Sequence, residues 1–297
     1  MTTSSATVIS IDQPQKEFIF EQVHLDVSRN ATDDFNLFHD KKKWQAIQKN
    51  PFKGPILLGF QLEALIEDQI KKHRTQENTT QHPPLLFSNY KFNFAGAIKP
   101  NEPIEIHISK TRIDNKNQTI SNRVCIKKKG RLVISGQQKE STQPLYLTNK
   151  TFSLLEDLAH IPDRSFVLDR QFFLKKKFMT TSNAKNFLAG SLIEQSNYID
   201  EVIDKVSFPE MFPCSFISCA LLEKAKLDQL DFCKSPSVYT QHKISINRRL
   251  VGELKSNSPI YILINNQPFC HTSEFECYGL TVDKEIIFRA VMSLAQL

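Results

Sequence analysis

Glycine is scarce in this chain, eight residues in 297, and the eight never fall as G-x-G-x-x-G or as a P-loop. Turns that cradle a nucleotide's phosphates need glycines at those spacings, so a nucleotide-cofactor enzyme is disfavoured. G-x-S-x-G and H-E-x-x-H are missing too, which removes the commonest hydrolase signatures. The six cysteines (Cys125, Cys214, Cys219, Cys233, Cys270 and Cys277) include no C-x-x-C pair. Zinc and thioredoxin-like chemistry therefore lack support, and no metal site is expected. Reduced thiols, mostly packed as small apolar groups in a cytoplasmic protein, are the default. No apolar run approaches the length of a membrane span, so no membrane partner is expected. The first fifteen residues have neither the basic nor the apolar part of a secretory leader and are expected to be a lead-in.

No long tract of one charge occurs either. The net charge of +6 is carried in short runs, Lys41–Lys43, Lys127–Lys129 and Lys175–Lys177. Solvated surface is the ordinary reading of any one run, and attraction of an anionic partner is the alternative. A nucleic-acid partner would need a recognisable motif beside the basic face, and there is none. A hydrophobic content of 40% with 24% charged residues describes a globular chain with ample core material, long enough for one large or two ordinary domains.

What the chain does contain is a repeat. Phe60, Ala64, Leu65 and Glu67 recur as Phe216, Ala220, Leu221 and Glu223, an offset of 216 − 60 = 156. Lys99, Asn101, Pro103, Ile104, Ile106 and Ile108 recur as Lys255, Asn257, Pro259, Ile260, Ile262 and Ile264, and 255 − 99 is again 156. Two separated matches at one offset indicate a tandem duplication. The first match sits on an amphipathic helix from Gly59 to His73. Leu62, Leu65, Ile66 and Ile70 form its apolar face, and Glu63, Glu67, Asp68, Lys71 and Lys72 are expected on the other. The second match sits on a strand. Ile104, Ile106 and Ile108 alternate with Glu105 and His107, as for one covered face, whereas Tyr261 and Leu263 in the second copy predict cover on both. Further strands are predicted at Gln118–Lys127 and Arg131–Gln138, with partners at Glu274–Gly279 and Glu285–Leu294. Helix first, then several strands, in each half, is an α+β pattern with an antiparallel sheet wrapped around a helix. The units are expected to divide at 1–149 and 150–297, with the join near Gln143–Lys150.

Ahead of the first helix come Asp34, Asn36 and His39 on one bend, then Phe52, Pro55, Ile56 and Gly59 as F-x-x-P-I-x-x-G. D-x-N-x-x-H alone is a weak signal. Followed by that string and a helix, it resembles the active-site segment of MaoC-like hydratases and dehydratases. The resemblance implies a hotdog fold, here a double hotdog forming a pseudo-dimer within one chain, with further homodimerisation left open. It implies addition or removal of water at C2–C3 of an acyl thioester carried by coenzyme A or acyl carrier protein, with no further cofactor. Asp34 and His39 would be the proton-handling dyad, and the Gly59 N–H the donor to the thioester oxygen. Asn36 would anchor the bend, and Leu58 and Phe60 would flank the substrate. The chain departs from the family's usual pattern at Asp33, where glycine is common, at Leu37 in place of proline, and at Leu58 in place of histidine. About two extra residues also separate His39 from Phe52.

Carried forward by 156, Asp34 becomes Gly190, Asn36 becomes Leu192, His39 becomes Gln195 and Gly59 becomes Ser215. The second unit thus carries no dyad. It is expected to complete the pair and to leave room for the acyl chain, with its many phenylalanines (Phe172, Phe173, Phe178, Phe187, Phe208, Phe212, Phe216) mainly in the core. Two other readings stay open at this point: a hotdog acyl thioesterase, which would direct water at the carbonyl, and a catalytically inactive acyl-thioester-binding protein.

Overall fold

A computed structural model describes residues 17–77 and 85–297, and the expected lead-in over the first fifteen residues lies outside them. The first unit runs β1 (Glu17–Ile19), α1 (Gln22–Thr32), α2 (Gly59–Gln76), β2 (Phe87–Phe94), β3 (Pro103–Ile108), β4 (Arg112–Asp114), β5 (Thr119–Lys128) and β6 (Arg131–Ser141). The second runs β7 (Ser165–Val167), β8 (Phe172–Phe178), α3 (Thr181–Gly190), a small hairpin of β9 (Ile199–Asp200) and β10 (Lys205–Val206), and α4 (Met211–Leu227). It then continues through β11 (Ser237–Asn247), α5 (Arg248–Glu253), β12 (Pro259–Asn265), β13 (Thr272–Leu280) and β14 (Ile286–Gln296). Twelve strands form one antiparallel sheet in the order β1-β3-β5-β6-β2-β11-β14-β13-β12-β8-β7, with β4 beside β5. Read outward from the β2–β11 seam, β2-β6-β5-β3-β1 corresponds to β11-β14-β13-β12-β8, and β7 extends the second side.

The seam carries the duplication in its register. Asn89 of β2 pairs with Ser245 of β11, and 245 − 89 = 156, so the units meet on their own pseudo-twofold axis. The Ser245 hydroxyl donates to the Asn89 side-chain oxygen across it at 2.7 Å. The repeated Lys-x-Asn-x-Pro also has a physical reason. Asn101 and Asn257 both take a left-handed conformation, φ 64° and 69°, which asparagine tolerates better than most residues. Their N–H groups turn back to the carbonyls of Phe20 and Met179, starting β3 and β12 at equivalent places.

The helix and the strands stand where the periodicity puts them, but one face was misread. Glu63, Glu67 and Asp68 are buried, not solvated. The polar face of α2 lies against the second unit, where Glu63 and Glu67 find partners, while Asp68 pairs with Lys72 of its own helix; only Lys71 and Lys72 of that face remain exposed. His107 is buried as well, with Glu105 3.3 Å away, so the outer face of β3 is more covered than alternation implied. On β12, Tyr261 and Leu263 are covered on the outer face by Phe152, Leu155 and Leu158. Of the seven phenylalanines named above, six are buried and Phe178 is exposed. At roughly 2 kcal/mol each, such side chains dominate the core. Of the thiols, only Cys214, Cys219 and Cys277 are buried, fewer than expected. Among the described residues no helix is long and apolar enough to cross a membrane.

Candidate active site

The bend that carries Asp34 begins where α1 stops. Asp33 takes a left-handed conformation (φ 55°, ψ 30°), and the N–H groups of Asp33 and Asp34 both return to the Arg29 carbonyl. Glycine is the usual residue at such a helix end, which explains why the common pattern has one there. Here an aspartate fills the position, and its carboxylate pairs with Lys177 of β8 in the second unit.

Downstream, a chain of hydrogen bonds holds the bend. Asp34 Oδ1 accepts the Asn36 N–H at 3.3 Å, Asn36 Oδ1 accepts the Phe38 N–H at 3.1 Å, and the Asn36 carbonyl accepts the His39 N–H at 3.0 Å. Asn36 thus shapes the turn that presents His39, as an Asx residue at a helix start can. Ile56 clamps the same turn from the far side. Its N–H donates to the Phe38 carbonyl at 2.9 Å, and its own carbonyl lies 2.8 Å from His39 Nδ1. A carbonyl can only accept, so Nδ1 carries the proton and Nε2 is left to face Asp34 Oδ2 at 3.8 Å. That is beyond a direct hydrogen bond and close enough for both groups to touch one water. The two side chains are nearly buried, Asp34 at 3% and His39 at 8% exposure.

Gly59 opens α2 behind Leu58, which offers no side-chain cap. The first amides of a helix have no partner within it, and its dipole favours negative charge there. Gly59, Asp34, Asn36 and His39 all line one cavity of about 270 Å³. Leu58 and Phe60 do not. Both are buried in the core, and the Phe60 ring stacks on His242 at 5.0 Å, so neither flanks the cavity as expected. Flanking a helix start, their side chains turn inward, while Gly59 between them lines the cavity.

The far walls come from the second unit. Leu221, Leu222 and Ala225 of α4, then Phe232, Val238 and Phe269, continue the apolar lining begun by Phe38 and Phe52. Hydroxyls interrupt it, and two of them, Tyr239 and Ser218, meet at 3.0 Å. Burial, and after it the charge of Asp34, pushes the Tyr239 phenol well above its ordinary range, so it stays protonated and able to donate. Nothing in the sequence pattern marked these residues. They lie on α4 and β11 of the second unit and reach the cavity of the dyad only because the units face each other.

No family model matches the sequence, and no curated protein matches it. Solved structures do. A MaoC-like dehydratase superposes with a TM-score of 0.60 at 10% identity, covering 95% of this chain and 97% of its own. A conserved hypothetical protein of Mycobacterium tuberculosis with a double hotdog fold gives 0.58 at 9% identity, covering 99% and 97%. A MaoC-like dehydratase from Phytophthora capsici gives 0.54 at 12% identity, covering 97% and 98%. The chain therefore has the double hotdog fold, two hotdog units joined as a pseudo-dimer, and MaoC-like dehydratases stand among its structural neighbours.

Proposed function

We propose that this protein is a MaoC-like hydro-lyase that interconverts 2-enoyl and 3-hydroxyacyl thioesters. The observation that carries the reading is the convergence of His39, Asp34 and Gly59, the first residue of α2, on one largely apolar cavity. In the hydration direction, His39 Nε2 takes a proton from a water held by Asp34 while the water oxygen bonds to C3. The thioester oxygen gathers enolate charge against the Gly59 N–H, and C2 then receives the proton from the imidazole on the same face. General acid–base catalysis and a preorganised oxyanion donor are the two effects such a reaction needs. The acyl chain would lie along the apolar wall supplied by α4.

The carrier is coenzyme A or an acyl carrier protein in this reading. Both are anionic, and the loop beside the cavity suits them. Lys41, Lys42, Lys43, Lys49 and Lys53 are exposed and none forms an ion pair with a described residue, while Phe52 of the same loop lines the cavity. Incubation with crotonyl thioesters of coenzyme A and of phosphopantetheine, followed by mass spectrometry, tests the proposal. Gain of one water with constant thiol content is expected. Release of free thiol would make the protein a thioesterase instead, and binding without any turnover would make it an acyl-thioester carrier.

A further inference from the structure

Behind Gly59 lies a buried pair that the chemistry above does not use. His242 of β11 and Glu63 of α2 are both fully buried, and His242 Nδ1 lies 2.7 Å from Glu63 Oε1. The remaining polar atom of each, His242 Nε2 and Glu63 Oε2, has no hydrogen-bond partner among the described residues. A pair of this kind adds little to stability, since apolar side chains of the same volume usually serve a core as well or better. Its place in the fold suggests another task.

The imidazole sits against the start of α2. A Cβ added at Gly59 would lie 3.5 Å from His242 Cε1 and 3.3 Å from Phe94 Cζ, so the backbone that carries the oxyanion donor rests on these two rings. The imidazole is in turn held by three aromatic rings: Phe60 stacked at 5.0 Å, Phe94 edge-on at 4.8 Å and Tyr239 edge-on at 4.3 Å. Phe94 and Tyr239 line the cavity. Glu63 follows Gly59 by four residues and so shares its face of the helix. The bond from Glu63 to His242 thereby ties that face to a strand of the other unit.

Resting on the reading of Gly59 as the donor to the thioester oxygen, we propose that Glu63 and His242 are positioning residues that fix the direction of the Gly59 N–H. The unit without a dyad would then take part in the chemistry through His242. A donor must be held within a fraction of an ångström of its acceptor to be effective, and a link across the unit interface supplies that restraint.

The test pairs kinetics with the infrared carbonyl band of a bound ¹³C-labelled 3-hydroxybutyryl thioester, which reports the hydrogen bond at the thioester oxygen. His242→Phe keeps a ring and loses the bond. It should lower kcat about tenfold or more with KM changed less than about threefold, as a misplaced catalytic group does. Its carbonyl band should move back toward the position seen in solution. Glu63→Gln, which can still accept from Nδ1, should keep most of the turnover and the wild-type band, and Glu63→Met should not. If His242→Phe is unfolded, the Glu63 pair of variants decides alone. A folded His242→Phe or Glu63→Met protein with wild-type kcat and band position overturns the inference. A wild-type protein that binds the thioester without turning it over removes the proposed reaction, and the band shift in the variants still decides whether the pair aims the amide. A wild-type protein that binds no thioester overturns both.

Discussion

The two long helices begin differently, and the difference separates the two halves of the molecule. At α2 the first residue, Gly59, lines a cavity beside an imidazole and a carboxylate. α4 begins four residues ahead of Ser215, the counterpart of Gly59, and its first amides are occupied. The N–H groups of Glu210 and Met211 donate to the two carboxylate oxygens of Glu67, at 3.0 and 2.9 Å. A carboxylate at a helix N-terminus stands where an oxyanion would, so the second unit's helix start is filled by the first unit's own side chain. The repeat makes this plainer. Glu223, the counterpart of Glu67, does not return the favour to α2; it pairs with Arg164 at 2.7 Å and Lys175 at 3.2 Å. One residue type at one offset closes one helix start and leaves the other open.

The dyad offers the most severe way to break this comparison. His39→Ala and Asp34→Asn should each lower kcat about a thousandfold, since removal of a positioned acid or base typically costs that order. Thioester binding should persist, as measured by calorimetry, because most of the cavity wall is apolar and untouched. Loss of binding with the activity would mean that these groups hold the ligand instead of acting on it.

Next comes the occupied helix start. Glu67→Ala removes a buried carboxylate from two amides and from Lys71, whose Nζ lies 2.6 Å from it. Breaking such an arrangement should destabilise the fold by about 3 kcal/mol, read from urea midpoints. Glu67→Gln, which keeps one acceptor, should fall between that and wild type. The matching change at Glu223 should cost less, because Arg164 is well exposed and its ion pair is screened. Equal losses at both positions would contradict the asymmetry.

The third break asks whether the second unit could be given a site. Gly190 stands where the first unit has Asp34, but α1 and α3 pack together there. A Cβ at Gly190 would lie 2.7 Å from the His24 carbonyl oxygen and closer still to the Ser28 hydroxyl. Gln61 of α2 also donates to the Gly190 carbonyl. Gly190→Ala should cost about 2 kcal/mol by overpacking, and Gly190→Asp with Gln195→His should yield an unstable protein with no second activity. A stable double variant with doubled turnover would show that the missing dyad, not the packing, silences this half.

These asymmetries also mark what could be read from residues alone. The repeat, α2, the central strands and the bend were legible because they rest on local periodicity or on a short motif. Helix α1 was not. Its buried face is Leu25, Ser28, Ala31 and Thr32, too small and polar to give an apolar stripe. The acids of α2 looked solvated because helical spacing says which face is polar, not what that face meets. The partners of Glu63 and Glu67, His242 and the α4 amides, lie 179 and about 143 residues away. Tyr239 and Ser218 escaped for the same reason. Site residues within one unit were visible, and those contributed across the interface were not.

Asp33 gives the mildest test, and it addresses the one departure from the usual pattern that the structure explains. The position has φ 55°, where glycine is unstrained and aspartate pays part of the left-handed penalty of roughly 1–2 kcal/mol. Asp33→Gly therefore removes some strain. It also removes the partner of Lys177, whose side chain is only 10% exposed. That loss is limited by the 46% exposure of Asp33 and by the Phe216 ring, 5.0 Å from Lys177 Nζ, which continues to attract the cation. The two effects oppose each other at similar size, so the net change should stay within about 1 kcal/mol in thermal melts. Turnover should be unchanged, because the turn that aims His39 is held by Asn36 and Ile56 and not by Asp33. A marked loss of activity in a well-folded Asp33→Gly protein would mean that the tie to Lys177, another contact across the two halves, also sets the dyad.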